Sequence, residues 1–251
     1  MAGYSIIFSP TGGTKKAADI LCGAMWSAWD ELDLCCDIHP VSFSEEDFCV
    51  VAVPSYGGRV PETAINRLKR IEGKGAKAVL LCVYGNRAWE DTLTELQDTL
   101  EQQGFVCMAA VSAVAEHSIF RQFGAGRPDK DDEAELKAFG EKIKAKFDAG
   151  CFEMPCLEGA HGSYKEFKGS AMKPQGNDNC GGCGTCAESC PVKAIDKANP
   201  RSTDKEICIS CMRCVSVCPR HARDFDPAFM AEKAAAMAER LGGHKENFLF
   251  I

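Results

Sequence analysis

Residues 180–191 read CGGCGTCAESCP, and residues 208–219 read CISCMRCVSVCP. Both stretches place four cysteines at the same intervals, with two residues in each of the first two gaps and three in the last. A proline follows the fourth cysteine each time. No period continues outside these stretches, so a single motif is duplicated and the chain is not a solenoid. This duplication decides how the second part of the chain folds.

The cysteines are unusually many for a chain of 251 residues, which contains 16 of them. The start, MAGYSIIFSPTGG, lacks the basic segment and long apolar run of a secretory signal, and no stretch reaches the roughly 18 apolar residues of a membrane span. We therefore expect a cytoplasmic protein without a membrane span, in which thiols stay reduced and structural disulfides are rare. Clustered cysteines in such a protein indicate metal binding.

Each cysteine run has the spacing with which bacterial ferredoxins bind [4Fe–4S] clusters. Two-residue gaps let a tight loop aim three thiolates at one cluster, while the fourth thiolate points to the other cluster. Gly181, Gly182 and Gly184 ease the first loop and bring amide N–H groups near sulfur. Zinc is the alternative for paired CxxC motifs, but it takes four ligands and the pattern offers eight. In these features residues 177–226 resemble two-cluster bacterial-type ferredoxins.

The spacing assigns the eight cysteines to two clusters. One set consists of Cys180, Cys183, Cys186 and Cys218, and the other of Cys208, Cys211, Cys214 and Cys190.

Residues 1–150 alternate short apolar runs with amphipathic stretches. Strands are predicted at 4–8, 48–53, 78–83 and 105–114, with another at 34–38, and helices at 15–29, 61–71, 88–103 and 131–147. Continuous apolar runs suit strands that are buried on both faces. The alternation predicts an α/β fold with a doubly wound parallel sheet.

The loop after the first predicted strand reads SPTGGTK, residues 9–15, and leads directly into a helix. Its hydroxyls, its flexible glycines and the helix N-terminus together suit a terminal phosphate. The alternative is a simple strand–helix turn in which Thr14 caps the helix. The loop resembles the phosphate loop of flavodoxins, and the candidate phosphate ligands are Ser9, Thr11, Gly12, Gly13 and Thr14.

Two further loops, PSYGGR at 54–59 and YGNRAW at 84–89, follow central apolar runs. They are expected at the carboxyl ends of the strands, where open α/β sheets bind ligands. Flavodoxin-like proteins hold the isoalloxazine ring of FMN between two such loops. The implied ring contacts are Pro54, Ser55, Tyr56, Gly57, Gly58, Tyr84, Gly85, Asn86 and Trp89. The alternative for these aromatic side chains is ordinary packing.

The whole chain resembles the bacterial and archaeal family of ferredoxins with an N-terminal flavodoxin-like domain. The stretches VPSYGGRVPE, VYGNRAWEDTLTEL and AEHSIF carry this resemblance. It implies a flavodoxin-like doubly wound parallel sheet of order 2-1-3-4-5, then a small α+β two-cluster domain. It also implies bound FMN, with His117 and Ser118 near the flavin. The alternative for His117 is a solvated loop histidine.

The implied organisation has four parts. They are a flavodoxin-like FMN-binding domain at 1–150, a linker at 151–176 that lies across it, a two-[4Fe–4S] ferredoxin domain at 177–226, and a C-terminal helix and tail at 227–251. Ala- and Met-rich composition predicts a helix over 227–241 that stops at Gly242 and Gly243.

Charge and motifs limit the possible functions. With 36 acidic and 29 basic residues, the net charge of −7 disfavours a nucleic-acid binder. Cluster loading adds negative charge to the second part, so we expect redox partner proteins with a basic surface. The favoured function is electron transfer between two [4Fe–4S] clusters and FMN. The alternatives are a flavin-dependent reductase of a quinone, nitro compound or disulfide, and a redox sensor; no catalytic residue is assigned.

Overall fold

The computed structural model describes residues 3–251. Its strands are β1 (Gly3–Ile7), β2 (Asp30–Asp33), β3 (Val41–Ser42), β4 (Phe48–Pro54), β5 (Ile71–Glu72), β6 (Lys77–Tyr84), β7 (Val106–Val114), β8 (Gln175–Gly176), β9 (Arg223–Asp224) and β10 (Phe248–Phe250). Its helices are α1 (Gly13–Met25), α2 (Glu62–Leu68), α3 (Thr92–Gln102), α4 (Lys130–Asp148), α5 (Thr185–Glu188), α6 (Arg213–Ser216) and α7 (Pro227–Leu241).

The first part of the chain forms a parallel sheet in the order β2-β1-β4-β6-β7. Counted along the chain, this order is 2-1-3-4-5, which is the flavodoxin-like order of doubly wound sheets. Strands β4 and β6 are buried almost along their whole length, as continuous apolar runs require. The predicted flavodoxin-like fold class is therefore confirmed.

Helices cover both faces of this sheet. Leu21 of α1 and Leu136 of α4 pack with Val50 on one face. Leu68 of α2 and Leu96 of α3 pack with Val51 on the other. Successive side chains of one strand thus serve two separate cores, because they point to opposite faces of the sheet.

Two sequence predictions fail at the edge of the sheet. The predicted strand at 34–38 is wrong, since the edge strand is β2 and its sequence, DELD, is polar because one side of it faces solvent. The predicted helix at 15–29 ends earlier, at Met25. Trp26 takes an extended backbone there, and its ring packs edge-on against Phe48 at 4.7 Å between centroids.

Strand β10 extends the sheet of the first domain from the far end of the chain. It pairs antiparallel with β7, so the sheet has six strands. Asn247, just before this strand, is buried, and its side-chain oxygen accepts the N–H of Val114 at 2.8 Å. The predicted limits of the first domain, 1–150, therefore leave out one strand of its sheet.

The cysteine-rich part is a small α+β unit with internal symmetry. Helices α5 and α6 contact each other, and β8 pairs antiparallel with β9. The duplication extends to the backbone. Left-handed φ angles occur at Gly182 (74°) and Gly184 (77°) in the first copy and at Ser210 (57°) and Met212 (61°) in the second.

Residues 157–172, here called the strap, cross the first domain. The carboxylate of Asp98 on α3 accepts hydrogen bonds from the Gly162 N–H at 2.9 Å and from the Tyr164 hydroxyl. Phe167 then lies against Gly57, where an added Cβ would come within 2.2 Å of its ring. The predicted linker at 151–176 thus has a defined course over the first domain.

The cysteine-rich unit packs against the first domain. Arg67 of α2 donates hydrogen bonds to the carbonyls of Leu34 (2.5 Å) and Pro191 (2.7 Å), and so joins the two parts. Ile209 packs against the core that α2 and α3 cover. These contacts bring the second cysteine loop to the carboxyl ends of the sheet strands.

Candidate cofactor sites

A cavity of about 420 Å³ lies at the carboxyl ends of β1, β4, β6 and β7. Open parallel sheets bind ligands at this edge, and the volume is in the range of small-molecule and cofactor sites. Seven segments form its wall: the loops after β1, β4 and β6, residues 115–120, the strap, α7 and the second cysteine loop.

The loop after β1 supplies the polar end of the cavity. Thr11, Gly13 and Thr14 line it. Ser9 lies behind them, and its Oγ accepts the N–H of Lys15 at 2.9 Å in the first turn of α1. Gly12 has φ 93°, a conformation that favours glycine, and it also lies outside the lining. Among the described residues the N–H groups of Gly13 and Thr14 have no acceptor, so they remain available to an anion.

The loop after β4 forms one side of the cavity. Pro54, Ser55, Tyr56 and Gly57 line it, whereas Gly58 does not. Gly58 has φ 89° and lies against Glu90, where an added Cβ would overlap the carboxylate. Glycine is required here by the turn and by this close approach, and not by contact with the cavity.

Tyr56 lies between the cavity and the second cysteine loop. Burial raises the pKa of its phenol, and the nearby thiols of Cys211, Cys35 and Cys208 raise it further. The same side chain lines the cavity. Tyr56 is thus within reach of both sites.

The loop after β6 corrects two predictions. Tyr84 and Gly85 line the cavity, as expected for ring contacts, but Asn86 and Trp89 do not. Asn86 is buried, and its side-chain amide donates to the carbonyls of Leu241 (2.5 Å) and Gly243 (2.9 Å). The Asn86 side-chain amide, which was predicted to bond the flavin, therefore bonds backbone carbonyls at the end of α7 instead.

Trp89 packs outside the cavity, because β10 in the C-terminal tail lies beside it. Its ring contacts Tyr84 edge-on at 5.2 Å and Phe248 of β10 at 5.4 Å between centroids. The alternative interpretation from the sequence, an ordinary packing aromatic, describes this side chain.

His117 and Ser118 both line the cavity. The Nδ1 of His117 accepts the N–H groups of Ile119 and Phe120, each at 3.1 Å. Burial and the neighbouring Arg87 guanidinium lower the His117 pKa to about 4. The ring is therefore neutral at physiological pH and carries its proton on Nε2, so it can donate a hydrogen bond from that atom.

The side chains that cover the cavity were not predicted from the sequence. Phe120 lines it from the loop after β7, and Met172 from the strap. Lys233 and Met237 line it from α7. Phe120 and Met172 also pack with Ala234 and Leu241 of α7 in a small separate core. The apolar face of α7 was the available signal, but nothing in the sequence indicates which surface that face covers.

The structure brings the eight predicted cysteines together in two sets of four, each around its own cavity. Cys180, Cys183, Cys186 and Cys218 line one cavity, here called the outer tetrad. Cys190, Cys208, Cys211 and Cys214 line the other, the inner tetrad. In each case the fourth cysteine of one run joins the first three of the other. Cys183 is exposed to solvent, whereas Cys190, Cys211 and Cys214 of the inner tetrad are buried.

The donor set of each tetrad fits an iron–sulfur cluster, because each offers four thiols and a [4Fe–4S] cluster is held by four cysteine thiolates. Across residues 3–251 no three His, Cys, Asp or Glu side chains converge on a point where one metal ion could bind. The Ala194 N–H donates to Cys190 Sγ at 3.3 Å, and the Ala222 N–H to Cys218 Sγ at 3.2 Å.

Arg223 is a second feature that was not predicted from the sequence. It is 2 % exposed and donates from Nη2 to the Pro174 carbonyl at 3.0 Å. Its Nη1 lies 3.9 Å from Cys186 Sγ in the outer tetrad. Burial raises the pKa of the Cys214 thiol in the inner tetrad, and the positive charge of Arg223 opposes that rise. A buried cation thus lies between the two sets of thiols. An arginine just after a cysteine run was the only signal.

The comparisons with known proteins match both parts of the chain. Residues 179–223 match the family model of the 4Fe-4S dicluster domain. Flavodoxin 1 from Bacillus cereus is 17% identical, covering 57% of this chain and 98% of its own, with a TM-score of 0.44. The flavodoxin of Streptococcus pneumoniae TIGR4 is 17% identical, with coverages of 58% and 99% and a TM-score of 0.41. An NADH:FMN oxidoreductase in its apo form is 15% identical, with coverages of 58% and 89% and a TM-score of 0.42.

The comparison with curated proteins gives no match. The strand order and the family match define the class: a flavodoxin-like domain fused to a 4Fe-4S ferredoxin-like domain. The resemblance stated from the sequence is confirmed at this level. The match to the 4Fe-4S dicluster domain supports an electron-transfer role. Within residues 3–251 every helix is too short or too polar to cross a membrane.

Proposed function

We propose that this chain is an electron-transfer protein that passes electrons between two [4Fe–4S] clusters and a bound FMN. One observation carries the proposal. Ile209 and Ser210, which lie between two cysteines of the inner tetrad, form part of the wall of the cavity at the edge of the sheet. Residues of one loop therefore line both the cluster site and the cofactor cavity, which favours direct electron transfer between them.

The flavin would occupy the 420 Å³ cavity with its phosphate at the loop after β1. The free N–H groups of Gly13 and Thr14 and the Thr11 hydroxyl suit a phosphate group, and no cation is needed. Tyr56 and Tyr84 line the part of the cavity that would hold the ring. The neutral His117 supplies an N–H donor there.

Flavins accept one or two electrons and [4Fe–4S] clusters accept one, so the pair can join one-electron and two-electron reactions. The exposure of the cysteines favours one order of electron transfer. Cys183 of the outer tetrad is exposed, whereas Cys190, Cys211 and Cys214 of the inner tetrad are buried. Redox partner proteins would therefore exchange electrons at the outer tetrad, and the inner tetrad would connect it to the flavin site.

The test is anaerobic purification followed by quantification of iron and flavin. We expect about eight irons and one FMN per chain, and photoreduction of the clusters should then bleach the flavin. Eight irons without flavin would contradict the proposal, as would a flavin that stays oxidised while the clusters are reduced.

A flavin-dependent reductase of a small acceptor is the second candidate. Lys233 favours it, because this side chain lines the cavity and is also 43 % exposed, so the cavity reaches solvent beside α7. Saturable turnover of a quinone, nitro compound or disulfide by the reduced protein would establish this activity. If the reduced protein turns over none of these acceptors but is rapidly oxidised by a protein acceptor, electron transfer is its only function of the two.

A further inference from the structure

The two cysteine loops have the same backbone but differ at their strained positions. In the first loop the left-handed residues are Gly182 and Gly184, which adopt such angles without cost. In the second loop they are Ser210 and Met212, with φ of 57° and 61°. Left-handed angles are uncommon for residues that carry a Cβ, and strain of this kind often marks a functional position.

Ser210 makes one contact through its side chain, which glycine cannot make, and one through its backbone. It is 5 % exposed, and its Oγ donates to the carbonyl of Ser170 on the strap at 3.2 Å. Its N–H donates to Cys208 Sγ of the inner tetrad at 3.4 Å. Ser210 and Ser170 both line the cavity at the edge of the sheet. One residue therefore contacts a cluster ligand, the strap and the proposed flavin site.

Gly182, the equivalent residue of the first loop, has none of these surroundings. It is exposed, and a Cβ added there would meet nothing within 4 Å. The difference between the two loops thus coincides with what each loop faces, which is solvent for the outer tetrad and the cavity for the inner one.

We infer that Ser210 is a positioning residue that holds the inner cluster loop and the strap together against the flavin, and so sets the contact through which electrons pass between them. This inference rests on the proposed function. In each transfer one electron leaves the inner cluster, which is oxidised by one equivalent, and the flavin gains it. Two transfers, with protons from water, complete flavin reduction. A one-electron reductant of low potential supplies the outer cluster.

The main variants are Ser210→Gly and Ser210→Ala, with Gly182→Ser as the matched control. Ser210→Gly should fold normally, because glycine suits this φ and already occupies the equivalent position. We expect both Ser210 variants to weaken FMN binding about threefold to tenfold, the effect of losing one hydrogen bond. They should also slow flavin reduction several-fold after photoreduction of the clusters. Gly182→Ser should change neither quantity.

Three readouts separate the outcomes: the FMN dissociation constant, the rate of internal electron transfer and the midpoint potential of each cluster. A merely structural serine would leave the rate unchanged once FMN saturates the site. Wild-type rates and affinities in both Ser210 variants would overturn the inference alone, as would an equal effect of Gly182→Ser. A wild-type protein that binds no FMN would overturn both this inference and the proposed function.

Discussion

Arg223 places one fixed positive charge between the two sets of cysteine thiols. Arginine stays protonated at any relevant pH, and burial strengthens its electrostatic effect because water does not screen it. A cation near a cluster stabilises the reduced form, which carries one more negative charge. This single side chain is therefore expected to raise the potentials of the two proposed clusters together.

The first prediction concerns Arg223→Met. Without the positive charge, the midpoint potentials of both clusters should become more negative by roughly 50 to 150 mV, the size expected for one charge at an effective dielectric of about 20. Redox titration of the loaded protein measures the shift. Arg223→Lys is the control, because it keeps the charge and loses the planar hydrogen bonds to Pro174 and Pro200. Potentials that move equally in both variants would show that the hydrogen bonds matter and the charge does not.

His117 makes stability depend on pH. Its folded pKa is about 4, against about 6.5 for a free histidine, so the unfolded chain takes up a proton first as the pH falls. The stabilisation from the neutral ring is complete above about pH 6.5 and is lost as the pH approaches 4.

The second prediction is that wild-type protein loses about 1 to 2 kcal/mol more stability than His117→Gln between about pH 7 and pH 5. Glutamine keeps an acceptor for the N–H groups of Ile119 and Phe120 and does not titrate. Anaerobic urea unfolding, followed by tryptophan fluorescence, measures the difference, since Trp26, Trp29 and Trp89 all report on the first domain. Parallel pH profiles would mean that His117 is not the group responsible.

At the scale of elements, the two cysteine loops exchange their fourth cysteines. Cys190 is the fourth cysteine of the first run and lines the inner cavity. Cys218 is the fourth cysteine of the second run and lines the outer cavity. Helices α5 and α6 lie side by side and direct these two residues across the unit.

The third prediction follows from this exchange. Cys190→Ser should lose the same cluster as Cys211→Ser, and Cys218→Ser the same cluster as Cys183→Ser. Iron content and electron paramagnetic resonance of the reduced variants would identify the cluster that remains. The inner pair should also lose electron transfer to the flavin, while the outer pair should keep it when the inner cluster is reduced directly. Loss of the same cluster in Cys190→Ser and Cys183→Ser would contradict the exchange.

At the scale of the whole molecule, hydrogen bonds join residues 245–247 of the C-terminal tail to the first domain. Asn247 accepts the Val114 N–H and donates to Asp132 (2.8 Å) and Glu135 (2.6 Å). The Tyr84 hydroxyl donates to the carbonyl of Glu246 at 2.7 Å, and Arg127 donates to that of Lys245 at 2.5 Å. These bonds hold the end of α7 in place over the cavity.

The fourth prediction is that Asn247→Ala lowers the free energy of unfolding of the first domain by about 1 to 3 kcal/mol, because it leaves buried partners without a hydrogen bond. FMN should also dissociate faster, since α7 is part of the cavity wall. Urea unfolding and the rate of flavin release measure the two effects. His244→Gln is the control in the same segment, because that side chain is 67 % exposed. If Asn247→Ala destabilises the domain but leaves the rate of flavin release unchanged, the tail does not control flavin binding in the cavity.

Local patterns predicted most of the fold. Features with a pattern among neighbouring residues lie where the sequence predicts them. They are the cysteine runs, the buried strands β4 and β6, and the helix at 227–241. The roles of Asn86 and Trp89 were not predictable, because both depend on a tail more than 150 residues away in the chain. Strand β10 has three residues, too few for a periodic pattern. Long-range pairing of this kind has no local signature.

The position of β10 also has a consequence for how the protein is made. A ribosome releases residues 3–150 well before residues 248–250, so the nascent first domain waits with the edge of β7 uncovered. Such an edge invites pairing with other chains. Closure of that edge comes only after the cysteine loops have been synthesised, and it brings α7 over the cavity in the same event. Only a chain translated through both cysteine loops therefore acquires a protected edge at β7.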